Sequence, residues 1–139
     1  MKYLKTIIPV FVLLTIGCAS QNIDKNFDSI KYEARTRGSM TLINVNTKEV
    51  SYKLPKKEGV YELSKEELIS LNELISLIKL TEIADLKAPT NNSATDMALI
   101  GKMTIVSKGK EYVSSSFDAG NPPKQLKKLE NLLYSLIKK

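Results

Sequence analysis

From residue 28 to residue 35 apolar and polar positions alternate, with Ile30, Tyr32 and Ala34 on one side, the period of a half-buried β-strand. A turn over 36–38 separates this run from a second at 39–46, where Thr41, Ile43 and Val45 share one side and Met40 and Leu42 the other. A third run, 49–54, carries Val50, Tyr52 and Leu54 after a turn at Asn46-Thr47-Lys48. The pattern predicts three strands in a meander. A helix is predicted to start at Ser64. Ser64 and Glu67 have the spacing of a capping box, and Leu63 and Leu68 hold the two positions of a hydrophobic staple. Leu68, Leu71, Ile75 and Ile78, with Leu74 beside them, then make one apolar stripe at helical spacing to about Lys79, a core pattern.

Residues 80–86 continue with Ile83 and Leu86 apolar, and are expected to form a short irregular or helical segment. Residues 88–96, Ala-Pro-Thr-Asn-Asn-Ser-Ala-Thr-Asp, are dense in loop formers and nearly free of apolar bulk. Residues 97–107 and 111–117 read as two strands joined by Lys108-Gly109, whose glycine can take the positive φ that a tight hairpin turn needs. Asn121 is placed to cap a final helix with Pro122 at its first position, and Leu126, Leu129, Leu133 and Leu136, flanked by Leu132 and Ile137, form its apolar stripe. The order βββ-α-ββ-α predicts an α+β domain over 27–139: an antiparallel sheet of about five strands with two helices packed on one face.

The first residues have a different character. Met1-Lys2-Tyr3-Leu4-Lys5 is basic, residues 6–16 are apolar, and Gly17-Cys18 follows. The apolar run is shorter than the roughly 20 helical residues that cross a bilayer, and Pro9 interrupts it, so it reads as an export signal. A small residue before Cys18 resembles a bacterial lipobox, in which the thiol is lipidated and cleavage makes Cys18 the new N-terminus. Thr15 and Ile16 precede Gly17, and Thr15 departs from the leucine usual there. Gly17 and Ala19 also fit ordinary cleavage after Ala19. The expected organisation is a signal peptide at 1–17, a lipidated Cys18 with a polar tether at 18–26, and the domain. Two or three acyl chains, as bacterial lipoproteins carry, would hold the protein stably on a membrane of the cell envelope.

With Lys2 and Lys5 set aside, nineteen basic residues stand against fifteen acidic ones, a net charge near +4. The lysine pairs 56–57, 127–128 and 138–139 are scattered, not gathered into a basic stripe, which argues against nucleic acid as a partner. The chain has no histidine and one cysteine. It therefore lacks the usual neutral-pH general base and the commonest transition-metal ligand, and lipidation would leave no free thiol. No Gly-rich phosphate loop, dinucleotide fingerprint or metal-binding cysteine pair occurs, and no cofactor is expected.

A hairpin over 97–117 puts the start of its first strand beside the end of its second, so the loops 88–96 and 118–123 should be neighbours. Together they present Thr90, Asn91, Asn92, Asp96, Asp118 and Asn121, the candidate binding surface. The same residues are also accounted for as turn formers and a helix cap. Asp96 and Asp118 suggest calcium, but no calcium-loop spacing accompanies them. Ser114-Ser115-Ser116 near lysines suggests a serine nucleophile. Strand alternation, however, puts Ser114 and Ser116 on one side and Ser115 on the other, and no nucleophile turn surrounds them.

The residues Leu86-Lys87-Ala88-Pro89-Thr90, Asp96 and the run from Ser115 to Pro123, Ser-Ser-Phe-Asp-Ala-Gly-Asn-Pro-Pro, resemble small lipoproteins of Bacteroidetes-type bacteria. That resemblance implies lipidation and carries no activity. The order of elements, the aspartate before the fourth strand and the proline-started leucine helix look like emfourin, an inhibitor of thermolysin-like metallopeptidases. The glycine-rich first turn of that family is reduced here to Gly38, and no inhibitory residue transfers. The expected function is a non-enzymatic, protein-binding module of the cell envelope, anchored by lipid; the alternative is inhibition of an envelope metallopeptidase.

Overall fold

A computed structural model describes residues 25–95 and 98–138. The alternating runs form β1 (Ser29–Thr36), β2 (Ser39–Asn46) and β3 (Glu49–Leu54), and β4 (Lys57–Glu62) extends the meander by one strand. The expected three-strand meander is therefore corrected to four. β4 has no apolar alternation to announce it, because its inward positions include Gly59 while Val60 faces out and is 65% exposed. Gly59 pairs with Tyr52, and a β-carbon there would lie 2.8 Å from the Tyr52 hydroxyl, so the missing side chain makes room for the ring.

α1 (Lys65–Ser76) starts where the capping box places it: Glu67 N–H donates to Ser64 Oγ at 3.2 Å, and Ser64 N–H donates to Glu67 Oε2 at 2.9 Å. Short 3₁₀ helices at Leu80–Asp85 and Asn92–Thr95 lead to β5 (Ile100–Ser107), β6 (Lys110–Val113), β7 (Phe117–Asp118) and α2 (Lys127–Leu136). The chain is thus α+β, with seven antiparallel strands among the described residues instead of about five, in the order β4-β3-β2-β1-β5-β6, with β7 beside β5.

β1 lies at the centre. Ile30 pairs with Val45 and Ile105, Tyr32 with Ile43 and Met103, and Ala34 with Thr41 and Gly101, so these rows form one buried face. Leu71 and Ile75 of α1 and Leu129, Leu133 and Leu136 of α2 join the same core. Burying each such leucine contributes about 2 kcal/mol. This contribution holds a ten-residue α2 that would be too short to persist alone in water.

The expected strand over 111–117 is interrupted. Val113 pairs with Thr104 and Phe117 with Gly101, so three residues oppose two, which makes a β-bulge. Ser114 closes it, its N–H donating to the Met103 carbonyl at 2.8 Å and its hydroxyl accepting Met103 N–H at 3.0 Å. The extra residue resets the alternation assumed for the three serines and brings Phe117 onto the core face, over Gly101.

At the other end of β5, Asn26 N–H donates to Asn72 Oδ1 at 2.8 Å and the Asn26 carbonyl accepts the Ser107 hydroxyl at 2.7 Å. Asn26, inside the segment expected to be tether, is therefore bonded into the fold. Cys18 and the export signal lie outside the described residues. Among the described residues no helix is long and apolar enough to cross a membrane.

Candidate functional site

β7 sets Asp118 opposite Ile100 at the start of β5, which brings the loops 88–95 and 118–123 together, as the hairpin argument requires. Asp118 makes the contact. Its Oδ2 accepts the Thr90 hydroxyl and, at 2.7 Å, the N–H of Asn92, while Oδ1 accepts the N–H of Ser93 at 2.8 Å. The Thr90 hydroxyl foremost, then the two amides, hold the Asp118 carboxyl down to about 2, overcoming the opposing effect of its burial.

Asp118 is 1% exposed, and donors occupy both of its oxygens. It is an anchor between the loops and not, as expected, part of the outer surface. Of the other candidates, Thr90 is half-buried and turned to Asp118, Asn91, Asn92 and Asn121 are exposed, and Asp96 lies outside the described residues. Asn121 does not cap the last helix. Its N–H donates to the Asp118 carbonyl at 2.8 Å in a turn, and a 3₁₀ segment, Lys124–Leu126, leads into α2.

The depressed acidity of Asp118 gives a pH prediction. A carboxyl that titrates near 4 when unfolded and near 2 when folded contributes its full stability above about pH 4 and loses it as pH falls from about 4 towards 2. Thermal melts of the wild type and Asp118→Asn should differ by a constant margin above about pH 5, and that margin should shrink below about pH 4. An unchanged margin at about pH 2 would remove the linkage.

Between the loops lies a cleft of about 390 Å³. Lys87 and Pro89 line it from the first loop, and Asn121, Pro122, Lys124, Gln125 and Lys127 from the second loop and the start of α2. A second groove runs along the far side of the same segment, where Thr90 and Asn91 face Ser115 and Ser116. Two of the three serine hydroxyls are engaged with the backbone. Ser114 donates to the Ser115 carbonyl at 2.8 Å, and Ser115 donates to the Leu86 carbonyl at 2.6 Å.

Glu130 was not anticipated. It is 1% exposed, and its Oε1 accepts the Tyr32 hydroxyl at 3.0 Å and the Gly120 N–H at 2.9 Å. Tyr134 donates to the Tyr32 hydroxyl at 3.2 Å. Burial pushes the Tyr32 phenol far above the usual tyrosine range, helped by the Tyr134 bond and the Glu130 charge, so Tyr32 remains a donor. Lys127 Nζ lies 3.6 Å from Glu130 Oε2 and also donates to the Gly120 carbonyl. Glu130 thus ties β1, α2 and the second loop together. Its sequence signal was available: it stands four residues after Leu126 and three before Leu133, inside the apolar stripe.

No protein-family model matches the chain, and no curated protein and no solved structure matches it either, so the reading of the site rests on its own geometry.

Proposed function

We propose that this chain is a lipid-anchored cell-envelope protein that binds another protein through the paired loops. The observation that supports the reading is the Asp118 anchor, which fixes one loop to the other and leaves Asn91, Asn92 and Asn121 outside. A surface ordered in advance loses less conformational entropy on binding than two free loops would. Binding also suits the chemistry better than turnover, since the hydroxyls of Ser114 and Ser115 are spent on backbone carbonyls.

The position of the loops favours a partner reached from a membrane. The chain enters the fold beside Ser107, and Asp28 Oδ2 accepts the Gly109 N–H at 2.8 Å, so entry is at the β5–β6 turn. The paired loops are at the opposite end of β5, about 25 Å away at a rise of about 3.3 Å per residue. With Cys18 lipidated, a segment of about seven residues spans at most about 25 Å, enough for the loops to stand clear of the bilayer.

A photo-crosslinking residue at Asn91 or Asn121, in the native envelope, should trap a protein that the same residue at Glu111, near the tether, does not. Equal trapping at all three positions, or none at any, sinks the proposed surface. Cys18→Ser should move the protein out of the membrane fraction and abolish labelling by a palmitate analogue; a labelled, membrane-bound variant would refute the anchor.

A further inference from the structure

We infer that the cleft between Lys87 and the start of α2 receives an acidic segment of the partner, its carboxylates set against Lys87, Lys124 and Lys127. The inference rests on the binding role proposed above and gives that role a ligand chemistry. Three features carry it.

The first is charge. Three of the cleft's lining residues are lysines and, among the described residues, none is acidic. Lys127 is paired from behind with the buried Glu130, so the charge turned to the cleft is carried foremost by Lys87 and Lys124, whereas Glu33 bridges Lys31 and Arg35, and Lys79 meets Glu82. The lining thus carries one sign of charge, which favours an oppositely charged partner.

The second is preorganisation. Lys127 is held by the buried Glu130 and by the Gly120 carbonyl, and its stem forms part of the wall. Lys87 directly precedes the loop that Asp118 fixes, and Lys124 opens the 3₁₀ turn that runs straight into α2 and Lys127, so two stretches of chain bring the cations together.

The third is shape. Pro89 and Pro122 give the cleft rigid apolar walls, and Asn121 and Gln125 add amides that can meet a peptide backbone. An anionic membrane surface is the less fitting occupant, because the cleft stands at the end of the sheet opposite the point where the chain enters the fold.

The test uses a fluorescein-labelled peptide of about eight residues alternating glutamate and alanine, together with its glutamine counterpart. The protein with Cys18 lipidated, in detergent micelles, should bind the glutamate peptide and not the glutamine one. Affinity should fall as salt rises from about 20 to about 150 mM. Amide shifts should centre on Lys87, Lys124 and Lys127. Lys87→Glu with Lys124→Glu should weaken binding about tenfold, while Lys48→Glu with Lys108→Glu, the same charge change at the far end, should leave it within about twofold.

Equal loss in both double variants would mean that only net charge matters, and would overturn the inference. Stronger binding to vesicles containing anionic lipid, lost in the first variant, would overturn it in favour of a membrane. The crosslink at Asn121 separates the two levels. If that crosslink forms and survives Lys87→Glu/Lys124→Glu, the acidic-segment inference fails while the binding role stands; if no crosslink forms at Asn121 or at Asn91, both fail.

Discussion

Gly101→Ala is expected to destabilise the domain by about 2 to 3 kcal/mol, although alanine ordinarily costs less than glycine within a strand. A β-carbon on Gly101 would lie 2.6 Å from Cε2 and 2.9 Å from Cδ2 of Phe117. Phe117 is 2% exposed and is held by β7 pairing on one side and the core on the other, so its ring has nowhere to swing. Denaturant midpoints measure the loss. Phe117→Leu is destabilising alone, but it removes the ring that meets the new methyl group. The double variant should therefore be more stable than the sum of the singles by about 1 kcal/mol or more. Strict additivity would show that the cost of Gly101→Ala has another origin. The substitution also reaches the candidate site, because Asp118 follows Phe117 and a displaced ring shifts the loop anchor; trapping through Asn91 should fall along with stability.

What the sequence revealed and what it hid follow one division. Elements with a period were legible: the alternation of Ile30, Tyr32 and Ala34 placed β1, and the Ser64–Glu67 box placed the start of α1. β4 was invisible because an edge strand with glycine at an inward position and valine facing water has no alternation to detect. The bulge at Ser114 was invisible for a different reason. A single extra residue leaves composition and turn signals untouched and shows only in register, as the step from the Thr104–Val113 pair to Gly101–Phe117.

The site divides in the same way. Hairpin topology was enough to bring the loops 88–95 and 118–123 together, and Thr90, Asn92 and Asp118 do meet. Topology does not say which way a side chain points. Asp118 turned inward because three donors converge there, and Asn121 lost its capping role because the chain makes a 3₁₀ turn before α2 begins. The cleft has no signal in the sequence, since Lys87 and Lys124 are 37 positions apart and only the fold puts them on one cleft.

Glu130→Ala is expected to cost about 3 to 4 kcal/mol, a large share of the roughly 5 to 15 kcal/mol that stabilises a typical domain. The substitution strips the acceptor from the Tyr32 hydroxyl and the Gly120 N–H and leaves Lys127 without its carboxylate, so the cost is that of unsatisfied groups and not only of lost contacts. Glu130→Gln keeps an oxygen where Oε1 stands and removes only the charge facing Lys127. It should cost about 1 to 2 kcal/mol. Tyr32→Phe removes the donor to Glu130 and the acceptor of the Tyr134 hydroxyl and leaves Gly120 and Lys127 in place; in combination with Glu130→Ala it should cost less than it does alone, because one of the two bonds it breaks is already gone. Hydrogen exchange at Gly120 separates this network from general destabilisation. Its amide should be protected in the wild type and in Glu130→Gln, and should exchange freely in Glu130→Ala under conditions where the β1 amides remain protected. Protection of Gly120 in Glu130→Ala would mean that the turn stands without the carboxylate. Loss of protection there, with the sheet intact, would tie the second loop and the placement of Lys127 to one buried side chain.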